Sequence, residues 1–220
     1  MQYSPQSEPC PLKFSPFKSC TVPRPIGWLS TVSKQGTPNL APFSQWQNLT
    51  FDPPMVMFAA NQLSSGDRKH TVVNAEETGW FVWNMATYGL RNAVNLSSVE
   101  LSETEDEFQY AGVTPEPCIS APGPRVLESP AHFECRYLST HRLRGNSNHG
   151  WVEVIYGEVI HIHVKDSYLT AEGKMDIPKI RPLARLGYYD YTSVTDVFEM
   201  RMPNAASMSE QGLEGKSTLG

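Results

Sequence analysis

Between residues 23 and 48 the chain reads PRPIGWLSTVSKQGTPNLAPFSQWQN, in which hydroxyl and amide side chains recur beside an apolar run. Ser30, Thr31, Asn39, Ser44 and Asn48 can donate or accept hydrogen bonds, a set that suits a ligand carrying a phosphate and a polar ring edge. A second cluster follows at Arg68, Lys69, His70 and Thr71. A cation, a hydroxyl and the free N–H groups of a helix start hold a phosphate dianion well. Each cluster alone has an ordinary counterpart: the first is equally an edge hairpin blunted by proline, the second a solvated basic loop.

Strands and turns must position these groups. Ile26 to Ser33 predicts a strand with Ile26, Trp28 and Ser30 on one face and Gly27, Leu29, Thr31 and Ser33 on the other. After the turn at Lys34, Gln35 and Gly36 the chain returns through Thr37 to Ser44, where Pro38 and Pro42 each remove a ladder donor and leave backbone groups free for a ligand. Further strands are expected near residues 39–43, 55–60, 80–85, 131–141 and 151–164, and helices near 69–77, 88–97 and 105–111. Asp67 is expected to cap the first helix, which ends near Gly79. Thr104 with Glu107 reads as a capping box, and Gly112 as a stop. Strands dominate, and the 18 prolines collect in connectors such as 115–130, as an antiparallel barrel with long crossovers requires.

Taken in order, RPIGWLSTV, GTPNLAPFS, FDPPMVMF, DRKHTVVNAEETGWFVWNM, GPRVLESPAHFECRYL, GEVIHIHVKD and RPLARLGYYDY resemble the flavin reductase-like, FMN-binding split-barrel family. That family includes flavoredoxins and the small flavin reductases of two-component oxygenases. The resemblance runs from about Leu12 to Pro203 and implies one domain, with residues 1–11 and 204–220 as flexible tails. It implies a mainly β fold, an antiparallel Greek-key split β-barrel with a few peripheral helices. By resemblance, Ser30, Thr31, Lys69 and Thr71 surround the FMN phosphate, with Arg24 adding charge. Asn39, Ala41, Pro42 and Ser44 line the flavin, and the backbone near Ala41 and Asn48 reaches its polar edge. Leu186 and Tyr188 belong to a late segment that approaches the ring. The family implies a homodimer with FMN at the subunit interface and NADH or NADPH as transient hydride donor. The acceptor is a flavin-dependent oxygenase or another electron acceptor.

Two departures stand out. Related sequences often carry Lys-Asp-Thr where this chain has Lys69, His70 and Thr71, a change that keeps the cation and the hydroxyl. Trp28, Trp46, Trp80 and Trp83 are bulkier than the small aliphatics expected at such positions, so the pocket wall or dimer surface is reshaped. The flavin carries the redox chemistry, so no catalytic acid or base is assigned. No glycine-rich dinucleotide fingerprint precedes a helix, as expected if the nicotinamide docks directly over the flavin. Two rivals remain: a flavoredoxin-like electron carrier without direct NAD(P)H activity, and a non-enzymatic split-barrel ligand-binding protein.

Composition narrows the classes. The chain has 220 residues, 40% of them hydrophobic, enough for one sizeable core. With 18 Lys and Arg against 23 acids, the net charge of −5 supplies no basic field for nucleic acid or an anionic membrane surface. Neither a membrane-spanning run nor a signal-peptide core is visible, and a cytoplasmic protein is expected. Cys10, Cys20, Cys118 and Cys135 form no CxxC pair and read as free thiols, with Cys135 buried in a strand. His161 and His163 share a strand face but lack a third ligand, so no metal site is assigned. They are expected on a solvent or interface face opposite Ile160, Ile162 and Val164.

Overall fold

The computed structural model describes residues 1–102, 104–146 and 150–200. After an exposed N-terminal segment come β1 (Arg24–Pro25), β2 (Gly27–Val32), β3 (Pro38–Phe43), β4 (Trp46–Phe51) and β5 (Pro54–Asn61). Helix α1 (His70–Thr78) leads into β6 (Trp80–Met85), and α2 (Arg91–Leu96) and α3 (Glu107–Ala111) follow. The rest comprises β7 (Pro115–Glu116), β8 (Arg125–Val126), β9 (Ala131–Arg144), β10 (Trp151–Val164), α4 (Ile177–Ile180), β11 (Leu183–Arg185) and β12 (Tyr191–Ser193).

Seven of the strands form one antiparallel sheet in the order β3-β2-β6-β9-β10-β5-β4. The sheet curls so that its ends meet. Phe43 of β3 lies 5.1 Å from Phe58 of β5, and the indoles of Trp46 on β4 and Trp83 on β6 stack 5.8 Å apart. A Cβ on Gly27 would sit 2.9 Å from the Trp46 ring, so only glycine lets β2 approach it this closely. The fold is the expected split barrel.

The period-2 pattern of β2 sorts two cores. Leu29 joins Phe43, Trp46, Phe58, Phe81, Cys135 and Ile155 inside the barrel. Ile26 and Trp28 join Leu40, Val94, Phe108, Val126 and Leu183 on the outer face, beneath α2 and α3. Each large side chain removed from water contributes roughly 1.5–3 kcal/mol, so this alternation fixes the register of β2. Among the described strands β3 pairs with β2 alone, which places Pro38 and Pro42 on an edge, where missing donors are tolerated.

Several expectations need correction. Strand β4 was not anticipated, because five of its six residues are exposed and WQNLTF shows no alternation. The N-cap of α1 is Lys69, without a side-chain cap; Asp67 instead closes a turn with Ser65, 2.8 Å away. Gly79 ends α1 in the left-handed conformation, as expected. Helix α3 is capped by Asp106, whose carboxylate accepts from Phe108 N at 2.8 Å, and not by a box of Thr104 and Glu107. The stretch 88–97 divides into a 3-10 turn at Tyr88–Leu90 and α2.

The two strand histidines also face differently than expected. The β9–β10 ladder shifts register between Val159 and His161, leaving Ile160 as an extra residue. Such a bulge re-aims the side chains beyond it. His161 Nε2 therefore meets Ser120 Oγ at 2.8 Å and His163 Nε2 meets the buried Glu134 at 2.6 Å, while Ile162 and Val164 are exposed. Among the described residues no group of His, Cys, Asp and Glu is arranged to hold a metal ion. No described helix is long and apolar enough to cross a membrane. All four cysteines are free, and Cys135 is fully buried. The expected tail at 204–220 lies outside the described residues.

Candidate functional site

An open groove runs between β3, the loop 61–69, the start of α1 and the segment leading into α3. Its larger lobe is a cavity of about 540 Å³ bounded by Ser33, Thr37, Asn39, Arg68, His70 and Glu107, among others. A smaller lobe adjoins it, lined by Asn39, Ala41, Pro42, Phe43, Lys69 and Thr71, with Ser97, Ser98 and Glu100 opposite. Asn39, Leu63, His70 and Glu107 border both lobes. The volume falls within the range of small-molecule sites, roughly 300–1,000 Å³.

Local structure explains why these groups converge. Asn39 sits on the edge strand, and its amide donates to the Thr71 hydroxyl at 2.9 Å, which ties β3 to the first turn of α1. Beneath them Thr31 accepts from Asn74 of α1 at 3.1 Å. Lys69 provides no side-chain cap; its carbonyl accepts from Val72 N at 3.0 Å and from Val73 N at 3.2 Å, and the helix start borders the groove at His70 and Thr71. Lys69 reaches across the smaller lobe to Glu100, its Nζ 2.8 Å from the carboxylate. The other oxygen of Glu100 accepts from Ser64 Oγ at 2.6 Å and from Ser64 N at 3.3 Å. Lys69 above all, then Ser64, push the Glu100 carboxyl down to about 2.

Glu107 is the second acid of the groove. It is 5% exposed, and its carboxylate accepts from Leu40 N at 3.3 Å. Burial pushes its pKa up to about 7, its own and the Leu40 N–H groups opposing and the charges of Asp106 and Glu105 reinforcing the shift. The groove thus pairs an ionised carboxylate on a cation with a carboxyl that titrates near neutrality.

The residues singled out from sequence divide into three groups. Asn39, Ala41, Pro42, Lys69 and Thr71 line the groove together. Ser30 and Thr31 lie beneath it, fully buried, with their hydroxyls already bonded: Ser30 donates to Pro124 O at 2.6 Å and accepts from Asn84 at 3.0 Å. Arg24, Ser44, Asn48, Leu186 and Tyr188 do not line it. The Arg24 guanidinium instead binds carbonyls, at 3.0 Å to Thr21 and 2.8 Å to Leu186, and so laces the N-terminal segment to the chain after β11. Tyr188, at φ 57°, is half exposed, with Phe14 packed edge-on 5.6 Å away. Sequence reasoning missed Ser64, Glu100 and the lining role of Glu107. Glu107 carried a signal misread as a cap, whereas nothing local in Ser98-Val99-Glu100 announces that it meets Lys69.

The donor set fits a phosphorylated flavin. Its lining brings a cation (Lys69), a hydroxyl (Thr71) and an amide (Asn39) together with the apolar side chains of Ala41, Pro42 and Phe43.

A sequence model described as "Flavin reductase like domain" matches residues 19–191. An uncharacterized protein of Halalkalibacterium halodurans is 32% identical over 189 residues, covering 86% of this chain and 90% of that protein. Nitrilotriacetate monooxygenase component B from Bacillus cereus superimposes with a TM-score of 0.82 at 24% identity, covering 91% of this chain and 98% of that one. Flavoredoxin of Desulfovibrio vulgaris (Miyazaki F) superimposes at 0.71 and 20% identity, covering 94% and 100%.

Proposed function

The chain belongs to the flavin reductase-like domain family, and from that premise we propose that it is an NAD(P)H-dependent flavin reductase that binds FMN in the groove between β3 and α1. The observation that carries this reading is the convergence of Asn39, Ala41, Pro42, Lys69 and Thr71 on one groove beside the uncapped start of α1. FMN, when bound, accepts a hydride from NADH or NADPH and passes the electrons on to an acceptor. The protein's task is to hold and orient.

Lys69, Thr71 and the first N–H groups of α1 take the phosphate, and Asn39 keeps Thr71 in place through its 2.9 Å hydrogen bond. Ala41 and Pro42 present the apolar edge against which the ring lies. Ser30 and Thr31 act from below by fixing the floor: Thr31 anchors Asn74 of α1, and Ser30 anchors the loop at Pro124. Arg24 positions the Leu186 segment. The chain works as a homodimer with FMN at the interface, where Ser44, Asn48, Leu186 and Tyr188, which one chain leaves outside its own groove, complete the site of a second copy. Because the Bacillus cereus protein is named as a monooxygenase component, a flavin-dependent oxygenase is the acceptor we favour. The similarity to a flavoredoxin favours a second reading, an electron carrier that takes its electrons from a protein.

The test is the visible spectrum of the purified protein before and after FMN addition and desalting, followed by anaerobic mixing with each nucleotide. Bleaching of the flavin band by NADH or NADPH supports the reductase. Tightly held flavin that neither nucleotide bleaches would leave the electron carrier. No flavin uptake at all would remove both.

A further inference from the structure

Glu100 occupies the donor set that the proposed function reserves for a phosphate. Its two oxygens take the Lys69 ammonium at 2.8 Å, the Ser64 hydroxyl at 2.6 Å and the Ser64 N–H at 3.3 Å. A cation, a hydroxyl and a backbone N–H are the kinds of donor that bind a phosphate oxygen. The carboxylate lines the smaller lobe of the groove with Thr71, opposite Ala41 and Pro42. Its side chain is 39% exposed, so the acid is free to swing outward without unfolding anything.

We propose that Glu100 is an internal stand-in for phosphate, a residue that competes with the phosphoryl group of an incoming flavin for Lys69 and so keeps phosphorylated flavin exchangeable. The inference rests on the reading of the groove as an FMN site. A dianion arriving at Lys69 meets a carboxylate already there, and two anions cannot share one ammonium without strong repulsion. Binding therefore has to break the Lys69–Glu100 and Ser64–Glu100 contacts first, which lowers affinity for a phosphorylated ligand and leaves an unphosphorylated one unaffected. Specificity set by a displaceable internal group is a form of competition in the free protein. A loosely held flavin suits a protein that treats it as a diffusible substrate.

The experiment compares dissociation constants of FMN and riboflavin, read by flavin fluorescence quenching, for the unmodified chain, Glu100→Gln and Glu100→Ala. Thermal melting of each variant checks folding, and two different replacements keep the test open if one melts early. The expected result is FMN bound about 5- to 50-fold more tightly by both variants, with riboflavin affinity unchanged. Inorganic phosphate should likewise compete with FMN at lower concentration in the variants. FMN affinity that stays the same or falls, or an equal gain for riboflavin, would overturn the proposal. If the unmodified chain and both variants bind neither flavin, the flavin reading falls and this inference with it.

Discussion

At the scale of single residues, the groove owes its character to Lys69, Glu100 and Glu107. Lys69 offers the ammonium nearest the uncapped start of α1, and Lys69→Ala should weaken FMN by about 1.5–3 kcal/mol, roughly 10- to 150-fold, through loss of a charge-assisted contact. Titration of FMN into the variant checks this, and unchanged affinity would place the phosphate elsewhere. Glu107 behaves oppositely to an ordinary surface acid. Its folded pKa of about 7 lies above the ordinary value of 4.5, so the folded state binds its proton more tightly than the unfolded chain does. The stability it contributes is complete below about pH 4.5 and fades as the pH rises through about 7. Glu107→Gln should remove that decline and make the protein more stable at about pH 8 by roughly 1–3 kcal/mol, with little change at about pH 4.5. Urea unfolding at the two pH values is the measurement; equal effects at both would show that the carboxyl is not held protonated.

Elements position these residues through a few side-chain ties, and one of them has a measurable cost. The connector 117–124 closes over the end of the sheet because Glu134 of β9 accepts from the N–H groups of Ile119, Ser120 and Ala121 at 2.7–2.9 Å, with His163 at 2.6 Å. Burial raises the pKa of this carboxyl, but the three N–H groups and His163 outweigh it and bring it down to about 2. Glu134→Ala strands those donors, and a loss of about 3 kcal/mol follows. Faster amide exchange confined to 117–124 would accompany it, whereas an unchanged melting temperature would show the connector to be held by other contacts. Much of this layer was legible in sequence. The alternation in GWLSTV separated Leu29 from Trp28 correctly, and the prolines of PNLAPF marked an edge strand. What stayed hidden depends on tertiary partners: β4 has no alternation because most of it faces solvent, the bulge at Ile160 reverses two histidines without a sequence mark, and Glu100 meets Lys69 only once residues 97–101 lie along the groove.

For the whole molecule, the sheet leaves large apolar side chains uncovered at Leu49, Phe51, Leu143, Trp151 and Ile162. Exposed apolar surface of this kind suits an interface, in keeping with the proposed homodimer. Light scattering coupled to size-exclusion chromatography should give twice the 24.6 kDa chain mass at micromolar concentration; a single-chain mass would refute the shared site. The cysteines carry a practical consequence. Cys135 is sealed inside the barrel, and Cys118 is half-buried with its thiol pushed up to about 12 by burial and the Glu134 charge. Neither forms a thiolate readily. Cys20, exposed in the segment that Arg24 laces to Leu186, and the partly exposed Cys10 are thus the natural attachment points for a maleimide dye. With Cys10 replaced by serine, the unaltered barrel would carry one fluorophore beside the Leu186 segment, giving an optical readout of that region without any engineered cysteine.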